Sequence, residues 1–164
     1  MNKFIFFFLL ISFNSFSQKN LKQLLKKHNT ETIPYIFVDS LQKITSNVIL
    51  LDAREQKEFK VSHLRNAICV GYDNFSITKT IKILPTDKNS KIVVYCSLGI
   101  RSEDVAESLK KAGYTNVYNL YGGVFEWKNK NNTVVNNKNN PTNKVHTFNK
   151  EWSKWLLKGE KIYE

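Results

Sequence analysis

Lys91-Ile92-Val93-Val94-Tyr95-Cys96-Ser97-Leu98-Gly99-Ile100-Arg101-Ser102 joins a β-branched apolar run to a cysteine, a short loop and the start of a helical pattern. Such a junction is an anion cradle: successive backbone N–H groups of a tight loop converge on one point, and the helix N-terminus adds partial positive charge. Both favour the thiolate of Cys96, which is the nucleophilic form of the side chain. Gly99 supplies torsions that a Cβ would penalise. Arg101 offers a planar, permanently charged donor to an oxyanion or to the loop's own carbonyls, and Ser102 is placed to hydrogen-bond the loop. A cysteine at a strand end is, on its own, most often a small buried hydrophobe; its grouping with Gly99 and Arg101 points to chemistry.

Outward from this junction, short β-branched runs alternate with amphipathic stretches, the pattern of βαβ units and a parallel sheet. Strands are expected at 36–38, 47–51, 67–70, 91–95 and 116–120, and helices at 56–62, 75–84 and 101–112. Gly113 follows the last helix as a C′ residue, and Val105, Leu109 and Ala112 share one of its faces. No internal repeat is visible. With 164 residues, 41% hydrophobic and 13% aromatic, one domain with a real core is the default. Six Gly and three Pro exclude collagen-like and linker-like classes.

Four blocks, in order, resemble the rhodanese-like family of sulfurtransferases. Leu50-Leu51-Asp52-Ala53-Arg54-Glu55-Gln56-Lys57-Glu58-Phe59 is similar to the family's strand with Asp-x-Arg-x-x-x-Glu-Phe/Tyr, and Ser62-His63-Leu64-Arg65-Asn66-Ala67-Ile68 to its Gly-His-Ile-Pro-Gly-Ala-Ile turn. The Cys96 loop follows, and Leu120-Tyr121-Gly122-Gly123-Val124-Phe125-Glu126-Trp127 resembles the Gly-Gly-x-x-x-Trp segment after the fifth strand. Arg65-Asn66 and Ser62 depart from the usual turn. Coverage is about residues 33–130. The resemblance implies a five-stranded parallel sheet flanked by helices, with the active cysteine at the C-terminal end of a central strand, where ligands gather in open α/β folds.

By the same resemblance Cys96 attacks the outer sulfur of an anionic donor such as thiosulfate, holds it as a persulfide, and passes it to a thiol or cyanide. Ser97, Leu98, Gly99, Ile100, Arg101 and Ser102 form the substrate loop, with Arg101 as the side-chain aid. Asp52, Arg54 and His63 carry over as structural support. No cofactor or metal is implied, and His28, His63, His146 and two separated cysteines show no metal-ligand spacing. A competing enzyme reading is a cysteine-based phosphatase or arsenate reductase. Their loops resemble Cys-x5-Arg, whereas Cys96 to Arg101 is one residue shorter, and no Asp stands out as leaving-group acid, although Asp104 is near in sequence. A catalytically idle rhodanese-like binding or sulfur-delivery module is the non-enzyme alternative.

The chain ends carry separate expectations. Lys3 precedes an apolar run over 4–11, and Ser15 and Ser17 suit a cut before Gln18, so residues 1–17 read as a secretory signal peptide, with an uncleaved anchor as the alternative. The run is too short for a span of about 20 residues, and no Cys follows the cut to take a lipid. Heavy use of Asn and Lys resembles an AT-rich bacterial genome; the periplasm, or secretion, is the expected place. Residues 18–32 read as an N-terminal amphipathic segment. The net charge of +11 lies mainly at 18–50 and 128–164, with 51–127 nearly balanced, which reads as solvation rather than nucleic-acid binding.

Residues 128–144, with eight Asn and four Lys, read as a linker or long surface loop that leads into a 131–164 tail. That tail would end in an amphipathic helix carrying Trp152, Trp155, Leu156 and Leu157, docked on the domain or offered to a protein partner. Cys69, in an apolar run, reads as a buried free thiol, though an exported chain with two cysteines invites a disulfide.

Overall fold

The computed structural model describes residues 11–163, with side chains from residue 20 onward. The chain divides into two compact units, Met1–Thr30 and Glu31–Glu164. The described part of the first is a helix, α1 (Ile11–His28). The start of the expected signal peptide, residues 1–10, lies outside the described residues. In the second unit strands and helices alternate as β1 (Tyr35–Ile36), α2 (Val38–Gln42), β2 (Ile49–Asp52), α3 (Gln56–Val61), β3 (Ile68–Cys69), α4 (Ile77–Ile83), β4 (Ile92–Tyr95), α5 (Arg101–Lys111), β5 (Val117–Leu120) and α6 (Gly123–Asn129). The five expected strands are all present with ends moved by one or two residues, and they form one parallel sheet in the order β1-β5-β4-β2-β3.

β4 is the middle strand, and all four of its residues are buried, as a parallel strand covered on both faces requires. Ile92 and Val94, with Leu51 of β2, pack against Val105, Ala106 and Leu109 of α5. Gly113, at φ +94°, ends that helix as its position suggested. The connection after β2 leads to β3 on one side, whereas that after β4 leads to β5 on the other. The two loops diverge and leave a crevice at the carboxyl ends of β2 and β4, the place where open α/β sheets bind ligands. The Cys96 loop lies there.

Register also separates the two cysteines. Asp52 stands between Cys69 and Tyr95, so Cys69 lies two strands from β4, about 10 Å in strand spacing and beyond the roughly 7 Å Cα limit of a disulfide. Both thiols are free, and the Cys69 Sγ–H donates to the Arg54 carbonyl at 3.5 Å.

The last 35 residues differ from the expected loop and helix. Val134 and Val135 are fully buried in β6 (Val134–Val135), which pairs antiparallel with β7 (Pro141–Thr142); Val135 also exchanges two 2.9 Å backbone bonds with His63. The asparagines build the turn between these strands. Asn136 Oδ1 accepts the Lys138 and Asn140 N–H groups, and Asn139 takes φ +60°, which Asn tolerates. The expected terminal amphipathic helix is instead a single 3₁₀ turn, Trp152–Trp155, closed by the Asn129 side-chain amide on the Trp155 carbonyl. Gly159 at φ +104° then turns the chain into β9 (Glu160–Ile162), parallel to β8 (Lys144–His146). Among the described residues no helix is long and apolar enough to cross a membrane.

α6 starts against the Cys96 loop: the Val124 and Phe125 N–H groups donate to the carbonyls of Cys96 (2.9 Å) and Ser97 (3.2 Å). A Cβ on Gly123 would lie 2.3 Å from the Cys96 oxygen and 2.7 Å from the Ser97 carbonyl. Gly123→Ala is therefore expected to cost about 3 kcal/mol by overpacking and left-handed strain together, read from the denaturation midpoint at constant m. Gly113→Ala, where nothing lies within 4 Å, should cost only about 1 kcal/mol. Equal costs would show that close approach is not what requires Gly123.

Candidate active site

Cys96 leaves the end of β4 and is 2% exposed. The Gly99 N–H donates to its Sγ at 3.1 Å, a closure that Gly99 makes at φ +102°. The Ser102 hydroxyl lies 3.5 Å from the same sulfur. Burial alone would raise the thiol's pKa, but the Arg101 charge and the Ser102 and Gly99 backbone N–H groups outweigh it and hold the pKa below the ordinary value. The arrangement therefore favours a buried thiolate.

Asn119, fully buried on β5, braces the loop. Its amide donates to the Gly99 carbonyl at 2.8 Å and to Glu103 Oε2 at 2.9 Å, which spends both N–H groups and leaves Oδ1 to accept the Ser102 hydroxyl at 2.8 Å. The single Ser102 proton thus points at Asn119.

Arg101 does not face the cavity as an open donor. Its guanidinium grips Glu58 in two bonds, 2.8 and 2.9 Å, and reaches Ser97 Oγ at 3.2 Å. Glu58 comes from the first turn of α3, where its side chain also closes a capping box with Glu55. Burial pushes the Glu58 carboxyl up, but its bonds and charge pairing with Arg101, the Arg54 charge and the Glu55 N–H hold it below the usual carboxylate range.

Asp52, Arg54 and His63 lie below and beside this level. Arg54 and Asp52 are both fully buried and joined through Nε and Nη2, with Nη2 also donating to the Ser62 carbonyl at 2.6 Å. His63 stacks on Phe59 at 3.8 Å and its Nδ1 is 2.9 Å from the Phe59 carbonyl. These three groups tie loops to the sheet, and none lines the cavity over Cys96.

That cavity, about 160 Å³, reaches Cys96 and is walled by Ser97, Leu98, Ile100, Arg101, Phe148 and Trp152. Sequence reasoning assigned neither Glu58 nor Asn119, and placed Trp152 on a terminal helix, docked on the domain or offered to a partner, without linking it to Cys96. Asn119 did carry a signal, an amide inside an apolar strand pattern that has to find buried partners. Among the described residues no cluster of His, Cys, Asp or Glu could hold a metal ion.

The family model described as Rhodanese-like domain matches residues 17–130. Curated relatives include the tRNA uridine(34) hydroxylase of Erwinia tasmaniensis, 36% identical over 81 residues that make up 48% of this chain and 23% of that protein. That of Aster yellows witches'-broom phytoplasma is 34% identical over 109 residues, 63% of this chain and 34% of the relative. The chain thus spans about a third or less of these relatives' length. Among solved structures, a rhodanese-related protein from Thermoplasma volcanium superposes with TM-score 0.55 at 27% identity, covering 62% of this chain and 97% of its own. A thiosulfate sulfurtransferase from Pseudomonas aeruginosa shares the fold with TM-score 0.58 at 18% identity, covering 85% of this chain and 26% of its own. With the strand order, the cysteine loop and the glycine pair all in place, this chain belongs to the rhodanese-like domain family.

Proposed function

We propose that the chain carries a sulfurtransferase site that moves a sulfane sulfur through a persulfide on Cys96. The observation that carries this reading is the Cys96 sulfur itself: buried at the crevice, bonded by the Gly99 N–H at 3.1 Å and held below its ordinary pKa. The thiolate attacks the terminal sulfur of a donor, the donor's bond to that sulfur breaks, and its electron pair leaves with the remainder of the donor. With thiosulfate the products are the Cys96 persulfide and sulfite. A thiol or cyanide then removes the outer sulfur and regenerates the thiolate. The same N–H groups that stabilise the thiolate are positioned for the persulfide anion, so little reorganisation accompanies the transfer.

The hydroxylase name belongs to relatives of which this chain spans at most 34%. Phosphate-ester hydrolysis finds less support. The described residues walling the cavity include no carboxyl to protonate a leaving group, and Asp104 accepts the Tyr72 hydroxyl at 2.6 Å. We also propose that the protein works outside the cytoplasm after removal of residues 1–17, on the strength of Lys3, the apolar run and the small residues before Gln18.

Intact mass spectrometry with thiosulfate and benzenethiosulfonate in parallel should show the gain of one sulfur atom, its loss on adding cyanide, and neither event in Cys96→Ser. No adduct from either donor, with the thiols shown to be reduced, would contradict sulfur transfer, and Cys96-dependent hydrolysis of an aryl phosphate would favour the phosphatase reading. For export, protein recovered from the periplasm of an expressing cell should begin at Gln18; full-length chain confined to the cytosol would refute it.

A further inference from the structure

We propose, resting on sulfur transfer at Cys96, that the cavity selects an organic sulfane-sulfur donor, R–S–S⁻ or R–SO₂–S⁻, whose R group is one aryl ring or a small branched alkyl group. Phe148 and Trp152 make that selection.

Size is the first argument. An apolar protein cavity of about 150 Å³ holds a benzene molecule, and the space over Cys96 is about 160 Å³. Polarity is the second. Leu98, Ile100, Phe148 and Trp152 present carbon to it, whereas the one cation on its wall is engaged: Arg101 gives two hydrogen bonds to Glu58, and its guanidinium carbon lies 5.2 Å from the Phe148 ring centroid. A doubly charged donor such as thiosulfate has to shed more water against these carbon walls than a singly charged organic donor does, and three of the five Arg101 N–H groups are already committed to Glu58 and Ser97. An aryl group gains by the same burial, and its sulfur still meets the Gly99 N–H beside Cys96.

The third argument is that Phe148 is held in place against its own preference. Its φ is +66°, a conformation in which a bulky residue is an outlier, and its side chain stays 47% exposed. Neighbouring groups enforce this. The Phe148 N–H donates to His146 Nδ1 at 3.1 Å, the buried Thr147 bonds to the Ile162 carbonyl at 2.9 Å, and Asn149 Oδ1 takes the Trp152 N–H at 2.9 Å. Overdetermined strain of this kind gathers at ligand clamps. The C-terminal segment, turned back by β8 and β9, thus supplies one wall of the site.

The chemistry balances. The Cys96 thiolate bonds to the outer sulfur, the sulfur–sulfur bond of the donor breaks, and R–S⁻ or the sulfinate R–SO₂⁻ departs with the pair of electrons; no oxidant or reductant is consumed.

The test is kcat/KM for sulfur transfer to cyanide by the full chain, with methane-, propane-, benzene- and naphthalenethiosulfonate and with thiosulfate. We expect a rise of roughly fourfold per buried methylene from methane to propane. Benzenethiosulfonate should be at least about tenfold above thiosulfate, with naphthalene gaining nothing further because its second ring exceeds the space over Cys96. In the folded Phe148→Ala/Trp152→Ala variant, the preference for benzenethiosulfonate over thiosulfate should fall by about tenfold or more. Equal losses for both donors would overturn the assignment to these two residues. If that variant does not fold, Trp152→Leu and the wild-type donor series decide the matter. Thiosulfate as good as or better than benzenethiosulfonate would overturn the selectivity and leave transfer at Cys96 standing. No persulfide from any donor would overturn the transfer reading and the selectivity with it.

Discussion

A guanidinium and a carboxylate, Arg101 and Glu58, meet in two hydrogen bonds across the crevice left by the diverging loops after β2 and β4. Glu58 is buried completely and Arg101 is 17% exposed, so removing either partner strands a charge at a cost of roughly 3–5 kcal/mol. The pair fastens the first turn of α3 to the first turn of α5 and draws Ser97 into the same network. It also divides the work of Arg101. The directional hydrogen bonds go to Glu58 and Ser97, while the positive charge still acts through space on the Cys96 sulfur. The guanidinium thereby holds the loop with its hydrogen bonds and acts on the sulfur with its charge.

The cysteine loop is held from its other sides as well. Asn119 braces the Gly99 carbonyl and the Ser102 hydroxyl from β5, and the start of α6 binds the Cys96 and Ser97 carbonyls, an approach that only glycine at position 123 allows. Below, the Asp52–Arg54 pair fixes the end of β2 and the Ser62 carbonyl, while the Tyr95 hydroxyl accepts the Leu64 N–H at 3.1 Å. A cradle supported this way is organised before any donor arrives, the condition under which fixed dipoles stabilise charge most.

Much of this was legible because it is local or periodic. The strands and α5 follow from hydrophobic pattern, Gly113 from its place after the last helical turn, and the Cys96 loop from a cysteine, a glycine and an arginine in one short stretch. The C-terminal 35 residues were misread for a physical reason. Val134-Val135 is too short to register as a strand, so its burial against His63 is visible only once the chain has folded back. The indole spacing of 152–157 imitates a helix that the asparagine cap and Gly159 interrupt after one turn. Glu58 was present in the quoted motif, but its pairing spans 43 residues of sequence and has no local signature.

The claim on which the mechanism stands is that Cys96, though buried, ionises more readily than an ordinary thiol because of this surrounding charge and hydrogen bonding. The direct measurement is the rate of alkylation by neutral iodoacetamide against pH, with Cys69 replaced by Ala, for Arg101 and for Arg101→Leu. The thiolate fraction rises with pH through the pKa, so the expected midpoint with Arg101 present lies below the ordinary thiol value of 9.0, and that for the variant moves upward. A midpoint at or above the ordinary value with Arg101 present, or one unmoved by its loss, would contradict the claim.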